Sequence, residues 1–94
     1  MEFKELEFKS FLDGFRSSYD FDNGYYISVV AGAGMYSNPK EGNSPDDFNL
    51  FEVAVFNPEG EWSTKDFFPD NKDDVMGWQS REDINDLILL IESK

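Results

Sequence analysis

Gly32 and Gly34, in "VVAGAGMYSNPKEG" (residues 29–42), follow an apolar run as a phosphate-binding loop follows a strand. The chemistry does not carry through. Ser37 and then Asn38-Pro39 stand where a dinucleotide fingerprint needs its third glycine, no Gly-Lys-Ser/Thr follows, and Lys40 is the only cation within ten residues. Two glycines two residues apart on a strand share a face, where the missing side chains let a sheet bend or a helix approach closely. Histidine is absent, so His bases, Ser–His triads and His-ligated metals are excluded. "DFDNG", Asp20 to Gly24, opens like a calcium loop, but its glycine comes one position early and Ala31 replaces the closing Glu. An Asx-type turn explains it better. Asp70, Asp73 and Asp74 offer only an exposed acidic loop. No cofactor or metal is expected. A small metal-dependent or carboxylate enzyme remains the minor alternative, since a chain this short has little material for a cleft.

The carboxylates matter more as a group. The 94 residues hold 20 Asp and Glu against 8 Lys and Arg, a net charge of −12. Solubility in a small domain needs a magnitude of only about 2–8. The excess repels nucleic acid and anionic lipid, and speeds encounter with basic surfaces. Helical neighbours at i, i+3 or i+4 lie about 5–6 Å apart, and alternate strand residues roughly 6.5–7 Å apart. Nucleic-acid phosphates carry charge on a similar scale, about one per 3.4 Å of axis per strand. Glu59 with Glu61, then Asp66, Asp70, Asp73 and Asp74, and then Glu82, Asp83 and Asp86 form three acidic segments that could fold into one stripe. Asp20, Asp22, Asp46 and Asp47 suggest a second patch. Tyr36, Trp62, Phe67, Phe68 and Trp78 lie beside acidic loop segments, and Trp and Tyr are favoured interface anchors. The expected partner-binding residues are therefore Glu59, Glu61, Trp62, Asp66, Asp70, Asp73, Asp74 and Trp78.

Those residues need a scaffold. The length and the load of 10 Phe, 4 Tyr and 2 Trp predict one folded α+β domain over residues 1–94. Cysteine is absent, so no disulfide contributes. No membrane span or signal peptide is visible, which leads to the expectation of a soluble cytoplasmic protein. Phe8, Phe11, Leu12 and Phe15 recur at helical spacing and predict a helix over 2–16. Asn23-Gly24 marks a turn before a strand at about 25–36, and a polar loop follows. In "FNLFEVAVFN" (48–57), Phe51, Val53 and Val55 face one way and Leu50, Ala54 and Phe56 the other, which suggests a central strand. "NPEGEW" turns into a hairpin partner over 61–68, and 69–78 reads as an acidic loop. Ser80 caps a final helix with Asp83 three residues on and Ile84, Leu87, Ile88 and Ile91 as its buried stripe. The predicted order is helix, three-stranded antiparallel sheet, helix.

Its small size, strong acidity, lack of cysteine and short strands between amphipathic helices make the chain resemble the small acidic anti-defence proteins of bacteriophages, both anti-CRISPR proteins and DNA mimics. The segments "FEVAVFNPEGEW" and "DDVMGWQSREDINDLILLI" resemble the strand–turn–strand–helix ending of phage proteins, over about half the chain. The resemblance implies a non-enzymatic inhibitor in the host cytoplasm. It would bind a basic host protein or nucleoprotein complex and block its nucleic-acid surface, without binding nucleic acid itself. The alternative is an assembly module, homo-oligomeric in one form, whose acidity is incidental.

Overall fold

Of the segment 2–16 expected as a helix, residues 9–16 belong instead to a β-hairpin that continues to Asp20. A computed structural model describes all residues from Met1 to Lys94. It contains five strands, β1 (Lys9–Phe11), β2 (Gly14–Asp20), β3 (Tyr26–Gly32), β4 (Phe51–Phe56) and β5 (Met76–Gln79). Two helices follow β4 and β5 in turn, α1 (Thr64–Phe67) and α2 (Arg81–Glu92). Short 3-10 turns occupy Phe3–Glu5 and Pro45–Asp47. The strands form one antiparallel sheet in the order β1-β2-β3-β4-β5. This overturns the helix, three-stranded sheet, helix arrangement.

Register decides which residues face which way. Ile27 pairs with Val55 and Val29 with Val53, and these four side chains are fully buried with Phe51. The helix α2 covers that face with Ile84, Leu87, Ile88 and Ile91, as its spacing predicted. Ser80 accepts from the Asp83 amide at 3.1 Å, and the Asp83 carboxylate accepts from the Ser80 amide at 3.0 Å. This reciprocal cap satisfies two donors that the first turn leaves free. Phe3, Leu6 and Phe48 complete the core. The opposite sheet face has no helix over it. Its residues are Lys9 and Phe11 from β1, Arg16, Ser18 and Asp20 from β2, Tyr26, Ser28 and Val30 from β3, and Glu52, Ala54 and Phe56 from β4.

The hairpin rests on glycine. Gly14 pairs with Gly32, and a Cβ on Gly14 would fall 1.9 Å from the Ala31 carbonyl oxygen. Close strand approach, rather than a helix contact, thus uses Gly32. Gly34 lies beyond β3 in the following turn with φ 82°, so the two glycines do not share a strand face. Ser37 closes that turn, donating to the Gly32 carbonyl and accepting from its amide.

The strand expected over 61–68 does not form either. Trp62 makes one bridge to Phe56, after which Ser63 donates to Val55 and the Thr64 hydroxyl accepts the Val55 amide at 2.9 Å. A side chain thereby replaces a ladder partner, and the backbone is free to turn into α1. The antiparallel partner of β4 is β5, whose first three residues lie at the end of the segment expected to be a loop. Residues 77 and 78 form a bulge there, with Trp78 at φ 58°.

Candidate functional site

The β2–β3 and β4–α1 turns meet at one end of the sheet. Asn23 holds the first of them: its carbonyl oxygen accepts the Tyr25 amide, and its amide group donates to the Ile91 carbonyl at the end of α2. The "DFDNG" segment is therefore an Asx turn docked on a helix terminus. In the second, Asn57 accepts from the amides of Glu59 and Glu61. Gly24 packs so closely on Pro58 that a side chain there would meet it at 3.0 Å. The paired turns bring Asp20, Asp22, Glu59 and Glu61 to the same end. Glu92 joins them, sharing a depression of about 200 Å³ with Asp22 and Asn23.

Trp62 stands at the border of this acidic end. It is 55% exposed, and its ring lies 4.5 Å from that of Phe56, which in turn stands 5.6 Å from Tyr26. Packing on Phe56 gives the indole a fixed position while leaving half of it in water, as suits an interface anchor.

The other expected residues are distributed along the β4–β5 connection. Asp66 accepts from Ser63 at 2.9 Å in α1, and Asp74 lies 3.8 Å from Lys65 of the same helix. Phe68 lines one depression with Asp70 and another with Asp83 and Asp86 of α2, so it stands between those acids. Asp73 belongs to the same loop, which Asn71 holds by donating to the Asp73 and Val75 carbonyls. Trp78 is separate. Its 51% exposed ring sits by Tyr36, with the Lys40 ammonium 4.9 Å from the ring centre. Asp46 and Asp47 are separate from Asp20 and Asp22, because the Pro45 turn lies against Arg81 at the start of α2. No three Asp or Glu side chains come close enough together to hold a metal ion.

Two features escaped the sequence reading. Glu52 lies on the uncovered face, and partial burial pushes its carboxyl above the usual range, with the Lys40 charge opposing the shift. Lys40 is fixed by donating to the Met35 carbonyl at 2.7 Å. Arg16 is the second: its guanidinium donates to the Tyr26 hydroxyl at 3.1 Å and lies 5.4 Å from the Phe11 ring centre. Both depend on cross-strand register, which spacing along the chain does not reveal.

Comparison with protein-family models, with curated proteins and with solved structures finds no match to this chain. No helix is long and apolar enough to cross a membrane.

Proposed function

We propose that this protein is a non-enzymatic binder of a basic protein surface, and that its form of action is the one implied by the phage anti-defence resemblance: occupying the nucleic-acid groove of a host defence complex. The observation that carries this reading is the joined pair of turns. They place Asp20, Asp22, Glu59 and Glu61 beside Trp62, and Asp66 follows on the same connection. Carboxylates there meet guanidinium groups in charge-assisted pairs, while the indole fills an apolar pocket between them. The acids along 66–74 and on α2 extend the negative flank and steer the approach.

The test is capture from bacterial lysate at low and high salt, with a duplex oligonucleotide as competitor. The expected result is a basic nucleic-acid-binding complex released by salt and by the duplex. Glu59→Lys with Glu61→Lys should abolish capture, as should Trp62→Ala. Asp46→Lys with Asp47→Lys changes net charge equally at another location and should leave capture largely intact. Equal loss in both double variants would assign the effect to net charge and sink the site. Retention indifferent to salt would favour the assembly module.

A further inference from the structure

We propose that the uncovered sheet face carries an anion site built from Lys9, Arg16 and Tyr26, and that its ligand is a single carboxylate group. Lys9 and Arg16 are directly opposed in the β1–β2 ladder, on the same face. Like charges in that position repel each other, so folding alone does not favour the pair. The surplus of acids has not relieved it. Ion pairs link only Met1 to Glu92, Lys4 to Glu2 and Lys65 to Asp74, and neither Lys9 nor Arg16 has a carboxylate within 4.0 Å. The Arg16 Nε is moreover out of contact with solvent and has no hydrogen-bond partner.

The surroundings are organised for recognition. Lys9, Ser10, Phe11, Arg16, Ser18 and Tyr26 line an open depression of about 460 Å³, with Glu7 also on its wall. Phe11 and Tyr26 hold the guanidinium in place, so little side-chain freedom remains to be lost on binding. Tyr26 accepts from Arg16, which leaves its own O–H free to donate to a ligand. The hydroxyl group of Ser18, on the same face as Arg16, supplies a further donor.

Charge selects the ligand class. Two cations against Glu7 leave one positive charge in the depression, which a carboxylate neutralises. A phosphate dianion or a polyphosphate would bring surplus negative charge to a protein already at −12. A planar guanidinium also suits the two oxygens of a carboxylate. This ligand differs from the basic partner proposed above, and the two sites stand or fall separately.

The experiment is an amide NMR titration of the intact chain at constant ionic strength. One arm uses benzoate, a free acid. The second uses an N-acetyl-glutamate amide peptide, and the third inorganic phosphate. Saturable shifts centred on residues 9–11, 16–18 and 26 are expected with a carboxylate, at least tenfold tighter than with phosphate. Preference for benzoate identifies a small acid as the ligand, and preference for the peptide a polypeptide side chain; either supports the site. Arg16→Gln and Lys9→Gln should each weaken binding at least tenfold. Lys9 lies on an exposed edge strand, so its variant decides the matter if the Arg16 variant does not fold. Diffuse, non-saturating shifts would overturn the proposal, as would equal or tighter phosphate binding or an unaffected Lys9→Gln variant.

Discussion

Replacing Gly14 by alanine separates the hairpin from the helix that residue spacing suggests, because the two structures predict opposite signs. In a helix over 2–16, Gly14→Ala removes a poor helix former and stabilises by about 1 kcal/mol. In the hairpin the new Cβ lies 1.9 Å from the Ala31 oxygen and 2.8 Å from the Gly32 Cα, both backbone atoms of β3. Ordinary contact begins at 3.4 Å, so the strands must part by about 1.5 Å. A ladder bond of about 2.9 Å stretched by that amount is lost. Two neighbouring bonds at about 1 kcal/mol each, with loosened packing of Phe15, give a loss of about 3 kcal/mol. For a domain of this size that lowers the melting midpoint by roughly 12–24 °C. Thermal and urea unfolding followed by circular dichroism measure it. Gly34→Ala is the control: φ is 82° but nothing lies within 4 Å, so only the backbone cost of about 1 kcal/mol applies. A Gly14→Ala protein as stable as its parent would refute the hairpin, and with it the opposition of Lys9 and Arg16.

Two further substitutions test local assignments. The Glu52 carboxyl is raised by burial, so its protonated form favours the fold; that contribution is full below the ordinary value of 4.5 and is lost as pH rises through the raised one. Glu52→Gln should therefore raise the melting midpoint at pH 7, by an amount that shrinks toward zero on acidification. A difference independent of pH, or one shared by the exposed control Glu41→Gln, would contradict the burial. Ser80→Ala removes half of the reciprocal cap on α2 and should cost about 1 kcal/mol, or about 4–8 °C in midpoint; no change by calorimetry would show that the cap contributes nothing.

The helix α2 was legible because a buried stripe, an N-cap and a companion acid agree within 15 residues. The alternation in β4 was equally plain. The N-terminal hairpin was not, since the helical spacing of its apolar residues is coincidental. Phe15 faces the core, Phe11 the uncovered face, and Leu12 occupies the hairpin tip at 82% exposure. The core row of β2 is Phe15, Ser17 and Tyr19, and the serine blurs the period of two. In β5 the period is broken by the bulge, whose Gly77 is fitted to Tyr36: a Cβ there would come within 2.3 Å of the Tyr36 Cβ. Ser63 and Asp66 have the spacing of a helix start and are joined by a hydrogen bond, but the hairpin expected from "NPEGEW" carries residues 61–68 into a strand. For the site, acidic neighbours in sequence singled out Trp62 and Trp78 as candidate anchors but also Phe67 and Phe68, which are half-buried; only the fold separates the exposed rings from the others. The separation of Trp62 from Trp78 was not legible either, because it depends on which part of the β4–β5 connection pairs with β4.

The placement of charge on the fold makes salt a means of telling the two proposed surfaces apart. Among the strands, carboxylates occur only at Asp20 and Glu52, and the cations are Lys9 and Arg16; the remaining acids lie in turns, loops and helices. The molecule measures 34 × 28 × 22 Å. At 0.01 M salt the screening length is about 30 Å, so a ligand at the Lys9–Arg16 depression feels nearly every carboxylate; at 0.15 M, with about 8 Å, it feels mainly its neighbours. Moderate salt should therefore strengthen carboxylate binding at this site by removing distant repulsion, while its contact pairing is screened far less. A basic partner at the acidic end experiences the opposite, since the same distant charges attract it. Titrations at 0.01 and 0.15 M should move the two affinities in opposite directions. If salt weakened both alike, the cations of the sheet would be acting only through the average charge of the protein, and the depression would not be a site.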